Sequence, residues 1–289
     1  MIAVGSGMRG SRPGSIRQNS ALPVHAGAPA SVRLFGCWVA LLVGGPILAV
    51  LLRSAMEGMG AFRAIGSASA SDAIFLSLWT SALAAAIHAA MGTAIAWWLV
   101  RWALPGRAWI SRVVDLPLAV PTLVAGVVLV GLYGPQTLVG SSLAGLGLHI
   151  AFARPGIVLA LLFVTLPFVV RAVEPVLREL DPAEEEAASS LGAGRWRTWR
   201  TVVLPAILPA IAAGSVQTFG RSLAEFGSIA AVSGNLPGKT LTASVYVLGE
   251  VEAGHPGDAA AVSALLLLLA LALNPLGGVL VRFLGGRRG

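Results

Sequence analysis

The chain has 289 residues, of which 56% are hydrophobic and only 11% charged; a soluble domain carries about 25% charged residues, so with a mean hydropathy of +0.82 a soluble globular enzyme is excluded and a polytopic membrane protein is indicated. The net charge is +7 and 19 of the 20 basic residues are Arg, but they lie between hydrophobic runs rather than in one long stripe, which argues against nucleic acid as a partner. The single cysteine, Cys37, rules out an intramolecular disulfide or a multi-cysteine metal site, and the four histidines, His25, His88, His149 and His255, have no ligand spacing.

Residues 1–32 are rich in Ser, Gly, Pro and Arg without periodicity and read as a disordered tail. HAGAPA at 25–30 resembles a signal-peptidase site but precedes the hydrophobic run, so the signal-peptide reading fails. Residues 33–289 read as one membrane domain. Its expected spans are about 34–53, 73–100, 114–133, 155–173, 202–232 and 259–281. The uncharged run 116–153 is too long for one helix and is broken at Gly134–Pro135. The fold class is therefore all-α with six transmembrane helices, which puts both termini on one side. Fifteen basic residues fall on that side and five on the other side or within the fifth region, so the positive-inside rule predicts cytoplasmic termini and a cytoplasmic loop at 174–201.

That loop is the most polar part of the chain and has its own helix signals. Asp181 is a good N-cap, Pro182 suits the first turn and Glu184 follows three residues after the cap. Ala183, Ala187 and Leu191 share one face, and Gly192 and Gly194 stop the helix. A capped soluble-looking helix between hydrophobic spans suggests a docking element for a cytoplasmic partner.

Glu186-Ala187-Ala188, then Gly192, then Val202-Val203-Leu204-Pro205, resembles the EAA loop of bacterial ABC-importer permeases, with Val202 where Ile is usual. The resemblance implies the type-I importer permease fold and a coupling helix that docks on an ATP-hydrolysing subunit through Glu186, Ala187, Ala188, Leu191, Gly192, Leu204 and Pro205. The stretches 101–135, 166–180 and 220–240 are similar to the T-type subunit of sulfate/thiosulfate importers, a resemblance that covers about Leu34 to Leu284. Ala224, where Gly is usual, and Leu241, where an acidic residue is frequent, depart from that pattern. The resemblance further implies two copies of the ATPase, which use ATP and Mg, a second permease of W type, an extracytoplasmic sulfate-binding protein, and an inner-membrane location. No cofactor is expected on this chain itself. A molybdate or tungstate importer is the alternative within the class.

Arg221 and Glu225 lie within the fifth region, four residues apart. A charge at mid-span costs roughly 2.5–3.5 kcal/mol on insertion scales, so both are expected to face the protein interior or a water path. Either this segment, with Phe226 and Gly227, lines a translocation path for an anion, or the two charges form a buried pair that holds the helix to its neighbour. SGNLPGKT at 233–240 comes close to a phosphate-binding loop, but its glycine is one residue late and neither a strand nor a βαβ unit surrounds it. Paired catalytic carboxylates, a nucleophile constellation and metal spacing are all missing from the sequence, which argues against a membrane enzyme. A passive anion channel would transport without ATP and would leave the docking helix without a purpose.

Overall fold

A computed structural model of the protein describes residues 30–102 and 106–286, and every regular element among them is helical. The tail expected at residues 1–32 falls outside the described residues except for its last three. Helix α1 (Ala30–Val39), a π-helical turn at 40–44 and α2 (Gly45–Met56) form one span, Ser31–Met56, with no buried residue in its apolar window. Among the described residues, 30–46 form a separate unit from the rest.

The second unit continues with α3 (Met59–Ile65), α4 (Ala68–Arg101), α5 (Arg107–Ala119), α6 (Thr122–Tyr133), α7 (Leu138–Gly145) and α8 (Arg154–Glu179). It ends with α9 (Pro182–Ser190), α10 (Arg195–Thr198), a π-helical turn at 199–203, α11 (Leu204–Leu223), α12 (Gly227–Val232), α13 (Ala243–Glu252) and α14 (Pro256–Gly285). Five helical stretches are long and apolar enough to cross a membrane, and α5 with α6 makes a sixth span bent by 110°.

The core is the packing of α4, α8 and α11. Leu99, Val169, Val170, Val173, Leu177, Val203 and Ile207 are buried together. Small residues let these backbones approach: a Cβ on Gly92 would lie 2.8 Å from the Val169 Cβ, and one on Gly214 would lie 2.8 Å from the Val169 Cα. In lipid, where burying apolar surface gives no gain between helices, such close packing drives association. Some of the polar groups inside the bundle find backbone acceptors. Thr80, Thr93 and Thr165 donate to carbonyls one turn back, and His88 Nε2 lies 3.0 Å from the Leu162 carbonyl oxygen.

Two of the expected spans are broken. The third turns sharply at Val120–Pro121, where proline lacks an N–H and pushes the preceding residue to an extended conformation, φ −86 and ψ 126 at Val120. The fifth stops at Leu223 and resumes as the short α12. The breaks face each other. A Cβ on Gly227 would lie 2.4 Å from Thr122 Oγ1, and one on Gly126 would lie 2.6 Å from the Ser228 carbonyl oxygen.

Nearer the α9 end of the bundle, Arg171 ties α5 to α8. Its guanidinium donates to both Asp115 oxygens at 2.7 and 2.6 Å, to the Ser111 carbonyl at 2.7 Å and to the Ser111 hydroxyl at 2.9 Å, and it also meets Glu174. Glu174 is buried and pairs with Arg178 as well. Arg171 sits inside a helix that runs to Glu179. Arg171→Met should lower the thermal midpoint of the detergent-purified protein, with a loss of about 2–3 kcal/mol, because two carboxylates lose their shared cation. An unchanged midpoint would show that the cluster does not hold α5 in place.

Candidate functional site

The polar stretch folds as a short exposed helix with a defined start and stop. The Asp181 carboxylate accepts from the Ala183 N–H at 2.9 Å, satisfying one free donor of the first turn. Glu184 and Glu185 lie in that turn, where the helix dipole favours negative charge. At the other end Ala193 N donates to Ala188 O at 3.0 Å and Gly192 N donates to Ser189 O at 2.9 Å. This is a Schellman stop. Gly192 sits at φ +83, a conformation that a residue with a Cβ adopts only with strain.

No residue of α9 is buried. Glu186 and Ala187 are exposed, Ala188 is half-buried, and Leu191 is 89% exposed. Leu191 thus stands as a bare apolar side chain at the tip of a polar helix. Leu204 and Pro205 are the first two residues of α11, separated from α9 by α10 and the π-helical turn. The helix and the start of α11 are thus successive parts of one stretch, and α9 packs on α10 and on the turn that leads into α11.

A further tie runs from α9 to the core. Arg101, the last residue of α4, pairs with Glu185 and lies over the Trp97 ring at 5.5 Å. A cavity of about 1330 Å³ opens beside it, lined by residues that include Trp97, Arg101, Glu186, Arg195 and Trp199. Trp196 and Trp199 stack with ring centres 5.1 Å apart. Sequence reasoning missed the Arg101–Glu185 pair, because 84 residues separate the two and no short-range pattern joins them.

At the far end of α11 the two mid-span charges do pair. Arg221 Nη1 lies 2.6 Å from Glu225 Oε2, and the Glu225 side chain is 1% exposed against 34% for Arg221. The other Glu225 oxygen accepts from the Ser228 N–H at 3.0 Å and from the Ser228 hydroxyl at 2.9 Å. The carboxylate therefore caps α12 while it neutralises Arg221. Phe226 leads into α12 and is 39% exposed, and Gly227 is buried against α6. Residues 233–240 fold back on themselves: Asn235, at φ +52, donates to the Ala230 carbonyl at 3.0 Å, and Thr240 Oγ1 accepts from the Leu236 N–H at 3.0 Å. This loop follows a helix, and no strand occurs among the described residues.

Residues 88–288 match the family described as the binding-protein-dependent transport system inner membrane component. The chain is 39% identical over 229 residues to a probable sulfate transport system permease protein of Nephroselmis olivacea, covering 79% of this chain and 81% of that one. It is 39% identical to the sulfate transport system permease protein CysT of Synechococcus elongatus, with 84% and 88% covered. With the CysT of Escherichia coli it shares 36% identity, again with 84% and 88% covered. Among solved structures, a chain of a bacterial ABC transporter that imports alginate superposes with a TM-score of 0.72 at 20% identity, over 88% of this chain and 94% of that one. With an exposed capped helix on a bundle of broken membrane spans, and a match to the family model over more than half its length, the chain belongs to the family of binding-protein-dependent transport system inner membrane components.

Proposed function

We propose that the chain is a permease subunit of an ATP-driven importer for an oxyanion, sulfate or thiosulfate, and forms half of the transmembrane path. The observation that carries this is identity of 36–39% to sulfate permeases over 79–84% of the chain. Its partners are two copies of an ATPase subunit, a second permease of W type and an extracytoplasmic sulfate-binding protein. The chain lies in the inner membrane with both termini cytoplasmic, and covalent chemistry with ATP and Mg belongs to the ATPase.

The exposed helix α9, with Leu191 at its tip, serves as the coupling helix. When the ATPase subunits close, they move α9. Its tie through Glu185 to Arg101 carries that motion to α4, and the π-helical turn carries it to α11. Because α4, α8 and α11 share one packed core, the motion is delivered to the helix breaks at the other end.

The test is reconstitution with the ATPase and binding protein, measuring ATP-dependent uptake of labelled sulfate against labelled molybdate. Uptake of sulfate that requires ATP is the expected result. Uptake of molybdate alone would overturn the substrate, and uptake without ATP would overturn the importer in favour of a passive anion channel. Arg221 is read as giving the passing anion a favourable field. Arg221→Gln should abolish uptake while the complex still assembles; normal uptake would remove Arg221 from the path.

A further inference from the structure

The exposed faces of the membrane helices are of two kinds. On α6 the outward residues include Leu123, Val124, Val127, Val128 and Leu132, and on α14 they include Leu268, Leu271, Leu276 and Val279. These faces suit lipid. On α11 the open face is different. Ala210, Ala213, Gln217, Arg221 and Ala224 recur at spacings of three and four and so share one side of the helix. Gln217 and Ala224 on that side are exposed, and Arg221 is half-exposed.

Gln217 lies thirteen residues into α11, about 20 Å from the start of that helix at 1.5 Å per residue, which is within the hydrocarbon thickness. Its amide makes no hydrogen bond among the described residues. In hydrocarbon an amide with no partner is strongly disfavoured, so polar side chains on spans face the protein interior or a water-filled cavity. The small neighbours Ala213 and Ala224 leave room in front of it, and Arg221 stands one turn further along. Arg221 is paired with a sealed Glu225 but keeps about a third of its own exposure, so its open side offers a passing anion attraction without a trap. A primary amide beside it adds two N–H donors and no charge.

We propose that Gln217 lines the anion path and, with Arg221, forms a polar rung that an oxyanion crosses by exchanging water for N–H donors. This rests on the reading of the chain as an oxyanion importer and adds to it a residue that selects for the passing ion. The rung works by weak contacts: the amide hydrogen-bonds the tetrahedral oxygens, and the paired arginine keeps the field positive but shallow.

Two measurements on the assembled complex test it. In a Cys37→Ser background, Gln217→Cys should react with a water-soluble sulfonate-bearing methanethiosulfonate, and Leu271→Cys on α14 should not. Relative to a free thiol, Gln217→Cys should favour this anionic reagent over a trimethylammonium one by roughly tenfold, the scale of electrostatic focusing in a charged cleft. An unreactive Gln217→Cys, or no preference for the anion, overturns the rung. The labelling does not need transport, so it stands even if sulfate proves the wrong substrate. The second measurement is uptake of whichever oxyanion the wild type carries. Gln217→Leu should lower it about tenfold, and Gln217→Glu should lower it further, with assembly and basal ATP hydrolysis unchanged. Unchanged uptake in both variants, or loss of assembly in both, overturns the proposal; the second outcome would make Gln217 a contact with the partner permease.

Discussion

Gly192→Val is expected to abolish ATP-driven uptake while the protein still reaches the membrane at wild-type level. Nothing lies within 4 Å of where a Cβ would stand on Gly192, so the substitution meets no neighbour and acts through the backbone alone. A β-branched residue at φ +83 carries roughly 1–2 kcal/mol of strain, comparable with the two capping hydrogen bonds made by Gly192 and Ala193. The chain relieves the strain by leaving the left-handed region. Residues 193–195 then depart in another direction and Leu191 no longer holds its place at the tip of α9. Gly192→Asn supplies the control, since asparagine tolerates this region better than other residues, and it should retain much of the uptake. The readouts are vesicle uptake, transport-coupled ATP hydrolysis and membrane level by immunoblot. Full coupled hydrolysis in Gly192→Val would sink the docking role.

Glu225→Leu should be the most destabilising single change in the α11–α12 region, at about 3 kcal/mol. The carboxylate is sealed from solvent and holds three donors: the Arg221 guanidinium, the Ser228 N–H and the Ser228 hydroxyl. Its loss strands a cation in the span and leaves the first turn of α12 uncapped. Arg221 keeps about a third of its side-chain exposure, so the cost sits at the lower end of the range for breaking a buried pair. The double variant Arg221→Leu with Glu225→Leu should recover part of the stability, because no unpaired charge then remains. Thermal unfolding in detergent measures both. A single variant as stable as wild type would show that the pair contributes nothing to the fold.

Much of this was legible in the sequence because the signals are local. Charge-free runs marked spans, and Asp181, Pro182 and Gly192 marked the ends of α9, since caps and stops depend on neighbours within a few residues. The pairing of Arg221 with Glu225 was legible for the same reason. The 110° angle at Val120–Pro121 is not legible in a run that reads as one span, because hydropathy records composition, not the angle between two halves. The fifth region likewise read as one span from 202 to 232, and the stop at Leu223 becomes intelligible only when the Glu225 side chain is seen to start a new helix. The anchors Arg171–Asp115 and Arg101–Glu185 were not legible at all. They join residues 56 and 84 positions apart, and only the folded arrangement of α5 beside α8 and of α9 beside the end of α4 brings them together.

The contact between the two broken spans also bears on how this sequence can change over generations. Gly227 meets Thr122 and the Leu123 N–H, and Gly126 meets the Ser228 backbone, with no room for even one added carbon at either glycine. Neither glycine can drift alone. A larger residue at 227 requires a shorter side chain at 122 and a shift of the α6 backbone, so substitutions at these four positions should be inherited together. The short helices α6 and α12, more than ninety residues apart in the chain, should therefore change together because they pack together.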